Sequence, residues 1–264
     1  MSLSTSTVVL TNHEAGVLTL TLNRPEVLNG LTDDVLDAIA GGCHEAATND
    51  QVRVVVITGA GRGFCSGQDL RAAMEGGGDG ADVRAHLRDH YVPMIRAMRN
   101  LQKPVVAAVN GVAAGAGMSL ALAADFRIAG ESASFIQAFV RIGLVPDAGS
   151  SYFLPRLIGT AKALELTMLG DTVDSGEALR IGLVNRVVPD ADLPHATAEF
   201  ASRLARGPRS AGLIKQLIST SLDNALETQL EREEDAQFAA AGSSDFAEGV
   251  GAFIAKRPAR FTGH

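Results

Sequence analysis

Two strand ends in this 264-residue chain are lined with glycine, GAGRGFCSGQDL from Gly59 to Leu70 and NGVAAGAG from Asn110 to Gly117. Bare backbone at such places lets a ligand approach unpaired N–H groups. Gly115, Ala116 and Gly117 stand where a helix should begin, a site that favours an oxyanion or a phosphate; the competing reading is close packing of that helix on a sheet. A carboxylate, Asp147, lies in the constrained turn Gly-x-x-Pro-Asp-x-Gly at 143–149, where it is either an acid/base or a turn residue satisfying its own backbone. Several other chemistries are excluded. Phe64 occupies the third glycine position of a GxGxxG pattern, and no GxxxxGK[ST] or GxSxG occurs. Neither Tyr91 nor Tyr152 has a lysine four residues on, as a short-chain reductase would need. Cys65 has no evident histidine partner and reads as a small buried residue. His86 and His90 are four apart on a helix, but no third ligand accompanies them, so no metal is expected and they read as an exposed or loosely packed face.

The elements that must position these groups follow from periodicity. Thr7 to Leu10 and Val17 to Leu22 are β-rich runs joined as a hairpin. Thr32, Asp33 and Asp34 have the residue types of an N-cap and acidic first turn for a helix reaching Gly41 or beyond. Val52 to Thr58 is a buried parallel strand, and Pro104 to Val109 another, ended by Asn110-Gly111. Met74 to Asp82, rich in glycine, is expected to be a mobile loop. Val83, Leu87, Tyr91, Met94, Ile95 and Met98 mark an amphipathic helix that Pro93 would kink. Phe126 to Ala129 and Asn185 to Val188 are short strands, and Asp174 with Glu177 starts a helix as a capping box. Beyond about Ala191 only helices are expected, one of them carrying Leu222, Leu226 and Leu230.

Composition places the chain among ordinary globular proteins, with 46% apolar and 20% charged residues. A net charge of −7 without a basic block, and only two Tyr and no Trp, argue against nucleic acid. The uncharged run from Pro104 to Ala124 is broken by Pro104, Asn110 and three glycines, which argues against a membrane span. Cys43 and Cys65 form neither a disulfide framework nor zinc spacing, and a reducing cytoplasm is the expected location.

The blocks LNRPEVLNGLT (22–32), GRGFCSGQDL (61–70), AVNGVAAGAG (108–117), GLVPDAG (143–149) and FIAKRPARFTG (253–263) stand in the order of one family. Over essentially its full length the chain resembles the enoyl-CoA hydratase/isomerase (crotonase) superfamily. That resemblance implies an α/β fold, the crotonase spiral of repeated ββα units, with residues 1–190 as the core and 191–264 as a C-terminal helical trimerisation region. It implies an acyl-CoA substrate, a homotrimer or hexamer, and no cofactor beyond the coenzyme A of the substrate. The main-chain N–H groups of Gln68 and Ala116 would hold the thioester oxygen. Val27, Leu28, Ser66, Asp69, Leu70, Gly115 and Phe139 would line the substrate site. Phe253 and Lys256 would lie near the adenine and 3′-phosphate, in some relatives from a neighbouring subunit.

Departures from the family pattern narrow the chemistry. Where hydratases of the family use two glutamates, this chain has Ser119 and Phe139, neither a strong general base. Asp147 stands where hydratases have glycine, and the surrounding motifs are most similar to those of the family's ring-epoxide isomerases. One carboxylate that removes a proton and returns it elsewhere suffices for isomerisation. A hydratase with relocated acid/base groups and a noncatalytic acyl-CoA-binding protein stay open as alternatives. Phe64, Phe135, Phe139 and Met118 are expected to form a pocket tolerant of aromatic acyl groups, with core packing as the competing reading.

Overall fold

A computed structural model describes residues 8–71 and 80–264. The hairpin is present as β1 (Val9–Glu14) and β2 (Val17–Leu22), paired antiparallel from Val9 opposite Leu22 to Glu14 opposite Val17. From β2 the large sheet continues in parallel through β3 (Val54–Gly59), β5 (Val105–Val109), β7 (Phe126–Gly130) and β10 (Arg186–Val188). A smaller sheet runs beside it in the order β4 (Gly63–Cys65), β6 (Val112–Ala114), β8 (Ser134–Ile136) and β9 (Thr172–Asp174). Three times the chain lays one strand in the large sheet, crosses a tight turn and lays the next in the small one. A helix then returns it, which is the ββα spiral.

The central strands read as continuous apolar runs because both their faces are covered. Leu20, Val55, Ile57, Val105, Ala107 and Val109 pack on α1 (Asp33–Thr48) and on α3 (Val92–Asn100) through Val35, Leu36, Ile39, Met94 and Met98. Val54, Val56, Val106, Ala108 and Ile128 on the opposite face meet Leu193, Ala201 and Ala205 of α8 (Leu193–Ala205). The expected division at 190/191 therefore passes between the sheet and a helix packed upon it. In chain order α4 (Ala116–Ala123), α5 (Ser150–Ile158), α6 (Thr160–Leu169) and α7 (Ser175–Arg180) come between α3 and α8. The tail adds α9 (Ser210–Thr220), α10 (Leu226–Ala241) and α11 (Ser244–Ile254). Lys215 ties α9 to the core, its ammonium 2.9 Å from Asp125 and 2.9 Å from the carbonyl of Met98.

Several local expectations change. Residues 74–79 of the expected mobile loop lie outside the described residues, and Gly80 already opens α2 (Gly80–His86). The kink ascribed to Pro93 is a π turn, Leu87–Tyr91, in which the Val92 N–H reaches back to the Leu87 carbonyl. Widening the ladder there accommodates a proline that has no N–H to give and whose ring would strike the carbonyl four residues back. Thr32 takes the N-cap position without a side-chain cap, whereas Asp174 does accept the Glu177 N–H at 2.8 Å. Leu222 sits in a separate 3-10 turn and not on the helix of Leu226 and Leu230. Two helices go beyond the elements expected from periodicity, α5, which carries Pro155 within its last turn, and α6. Among the described residues no helix is long and apolar enough to cross a membrane.

Candidate active site

Gln68 is held by a one-residue parallel bridge to Leu31, flanked by hydrogen bonds from Leu31 N–H to the Gly67 carbonyl (2.8 Å) and from Asp69 N–H to the Leu31 carbonyl (2.9 Å). These occupy the neighbours' groups. Among the described residues the Gln68 N–H has no acceptor. Ala116 opens α4 after Gly115, whose φ is 51°, and its N–H is one of the first-turn donors that no intrahelical carbonyl reaches. Gly67 joins the two: its φ is +96°, and a Cβ there would lie 2.7 Å from the Ala114 oxygen and 3.4 Å from the Ala116 nitrogen. Gly117 brings the helix equally close to β4, since a Cβ on it would stand 2.2 Å from the Cys65 oxygen. The resulting pair of adjacent, unspent main-chain donors suits an oxyanion.

Asp147 precedes two left-handed residues, Ala148 (φ 48°) and Gly149 (φ 80°), and its carbonyl accepts the Ser150 N–H at 2.9 Å. The side chain takes no part in that turn. One carboxylate oxygen is fully buried without a hydrogen bond, and burial pushes its pKa up to about 6. A carboxylate left so poorly solvated is basic near neutral pH. The other candidate positions offer no such group. The Ser119 hydroxyl is buried and donates to the Gly115 carbonyl at 3.3 Å, and Phe139 is a buried ring. Burial raises the Cys65 thiol to about 12, which removes it as a nucleophile.

Tyr91 is a residue that periodicity assigned to the apolar face of a helix. It is 2% exposed, and its hydroxyl donates to the side-chain oxygen of Gln68. Burial first, and the nearby Asp147 second, keep the phenol protonated. His86 reaches the same Gln68 oxygen at 3.1 Å, so the Gln68 side chain is pinned from two sides. The signal available in the sequence was the hydroxyl itself, because a buried tyrosine needs a partner. His86 and His90 are half-buried and are paired with Asp33 and Asp37, in place of the loosely packed face expected of them.

The residues expected along the ligand fall into two groups. Ser66 donates to the carbonyls of Val27 (Oγ, 3.0 Å) and Leu28 (N–H, 2.9 Å), which fastens the 24–30 turn to the strand leading to Gln68. Leu70 and Val27 present exposed apolar surface there, while the Asp69 carboxylate is engaged by Arg24 at 2.8 Å. Phe253, 85% exposed, lies instead at the end of α11 beside Phe246, Val250 and Phe261, and Lys256 follows it with φ 51°. Phe64, Phe135 and Met118 expose almost nothing, so the core-packing reading replaces the expected aromatic pocket for these three. A cleft of about 910 Å³ lies on the opposite face of the large sheet beneath α8, and Gln68, Ala116 and Asp147 do not line it.

Comparison with known proteins shows the family of the chain. A family model described as enoyl-CoA hydratase/isomerase matches residues 12–264. The chain is 44% identical over 257 residues to 1,2-epoxyphenylacetyl-CoA isomerase of Escherichia coli K12, covering 97% of the chain and 98% of that protein. It is also 44% identical over 249 residues to a Rhodobacter capsulatus protein named "probable enoyl-CoA hydratase", covering 94% and 95% respectively. A crystal structure of enoyl-CoA hydratase from Bacillus anthracis superposes with a TM-score of 0.92 at 33% identity, over 97% of this chain and all of that one.

Proposed function

Because the chain belongs to the enoyl-CoA hydratase/isomerase family, we propose that it is a CoA-thioester isomerase in which Asp147 is the acid/base and the N–H groups of Gln68 and Ala116 hold the enolate oxygen. The observation that carries this reading is the buried, unpartnered oxygen of the Asp147 carboxylate, where Ser119 is tied to a helix carbonyl and Phe139 is apolar. The carboxylate takes a proton from the carbon beside the thioester, charge collects on the thioester oxygen, and the two donors stabilise it more than they stabilise the substrate. The proton then returns to a different carbon of the conjugated system. Nothing is added or lost, so no cofactor enters beyond the coenzyme A of the substrate.

The name of the Escherichia coli relative supplies the first substrate to try, 1,2-epoxyphenylacetyl-CoA; enoyl-CoA esters come next. The equally similar protein named as a hydratase is the reason to assay crotonyl-CoA hydration beside them. Isomerisation exceeding hydration is the expected result, hydration alone would establish the second reading, and no turnover of any ester would leave a binding protein. A base with a pKa of about 6 must be ionised to act, so kcat/KM should rise with pH through about 6 and level off above it. A flat profile from pH 5 to 8 would remove Asp147 from the role of base.

A trimer or hexamer, in the cytoplasm, belongs to the same reading. Ile218, Leu222, Leu226, Phe238 and Phe253 stand exposed on the helical tail, apolar side chains that a neighbouring subunit would cover. Phe253 and Lys256 would then complete the adenine and 3′-phosphate end of the ligand site of a neighbouring subunit. Light scattering should show three or six chains at micromolar concentration, and Lys256→Ala should lose the wild-type preference for CoA over dephospho-CoA. A stable monomer, or an unchanged preference, would count against this assembly.

A further inference from the structure

The sequence offered His86 and His90 no third metal ligand; the fold brings one. Asp33, His86 and His90 each place a ligand atom within 4.8 Å of the other two. His90 Nδ1 lies 2.9 Å from Asp37 Oδ1, and His86 Nε2 lies 3.1 Å from Gln68 Oε1. Asp37 Oδ1 and Gln68 Oε1 are acceptor atoms, so in neutral rings the nitrogens facing them carry the protons and the lone pairs sit on His86 Nδ1 and His90 Nε2. These lone pairs face one carboxylate. His86 Nδ1 is 3.0 Å from Asp33 Oδ1, and His90 Nε2 is 3.4 Å from Asp33 Oδ2. Two imidazole lone pairs this close to a carboxylate repel it unless a cation lies among them.

The two nitrogen–carboxylate distances, 3.0 and 3.4 Å, suit a particular class of cation. Tetrahedral zinc with bonds of about 2.0–2.1 Å sets its ligand atoms about 3.3 Å apart. We propose that Asp33, His86 and His90 form a binding site for zinc or a similar divalent transition metal, with Asp37 and Gln68 fixing the two imidazoles from behind. Such carboxylate–histidine–metal relays hold the ring orientation and keep the ligating nitrogen basic. A bound metal would fasten α1 to the end of α2 and to the π turn, one hydrogen bond from Gln68. The competing cation is the proton, since two imidazoliums would satisfy the same contacts.

Tag-free, full-length protein stripped with EDTA and titrated with zinc against a chromogenic chelator at pH 7.5 separates the two. The metal site predicts one zinc per chain and a thermal midpoint that rises with zinc concentration. His90→Ala should abolish stoichiometric binding, and Asp37→Ala should weaken it by about 10- to 100-fold. Asp34→Ala, which removes an exposed charge from the same turn of α1, should leave it unchanged. Absence of stoichiometric zinc in the wild type, or equal binding by the wild type, His90→Ala and Asp37→Ala, would overturn the site and leave protons as its occupant.

Discussion

Asp147→Asn should lower isomerisation by about 10²- to 10⁴-fold while leaving CoA-ester affinity within a few-fold of the wild type. Asparagine keeps the size and shape of the side chain and the Ala148-Gly149 turn depends on the main chain, so the change removes the proton acceptor and little else. Ser119→Ala, which removes a hydroxyl already committed to Gly115, should change turnover far less. Near-native turnover by Asp147→Asn would defeat the mechanism. A stability measurement gives an independent reading of the same group. The folded pKa of about 6 is above the ordinary value of 3.8, so the folded state binds the proton more tightly than the unfolded chain. The destabilisation from ionised Asp147 is absent below pH 3.8, grows between 3.8 and 6, and is constant above. Asp147→Asn should therefore be more thermostable than the wild type at pH 8, by no more than about 3 kcal/mol because the group is only partly desolvated. The difference should vanish toward pH 4.

Gly67→Ala is the second large effect. The φ of +96° is hostile to any L side chain, and the added methyl would sit 2.7 Å from the Ala114 carbonyl, so the strand must move away from the N-terminus of α4. Gln68 moves with it. Displacing one of two main-chain donors costs about 10²- to 10³-fold in kcat, with a smaller change in KM because the ground-state carbonyl gains less from the pair than the enolate does. Equal losses in kcat and in affinity would mean that the methyl has damaged the ligand site at large. An unperturbed kcat would mean that the Gln68 N–H does not hold the oxygen. Circular dichroism and a thermal melt distinguish either outcome from unfolding.

Much of this arrangement was legible in the sequence, because it is written in local backbone chemistry. The hairpin, the buried run at Val52 to Thr58 and the glycines before Gln68 and Ala116 each declare themselves within a few residues. Asp147 was legible as one of two readings, and burial, which no local pattern encodes, decided against the turn-capping one. The small sheet was harder: three-residue strands such as Gly63–Cys65 and Val112–Ala114 are too short for any period to show. Tyr91 and Gln68 are 23 residues apart, and their contact exists only because the intervening chain folds back beside α1. The same packing unites Asp33 with His86 and His90, which in sequence are a helix start and a distant pair.

The π turn at Leu87–Tyr91 has a consequence for how this chain can be altered. A π turn holds one more residue than the α-helical turn in its place, and one residue corresponds to about 100° of rotation about a helix axis. Forcing the segment to α-helix at full length would swing everything before it by that angle relative to Tyr91, and His86 would leave Gln68 while Tyr91 kept its place. Deleting one residue between Leu87 and Asp89 would instead let an α turn take the place of the π turn with its two flanks still in phase. The turn thus acts as a phase setting between two stretches of one helical rod, and the extra residue is what the setting consumes.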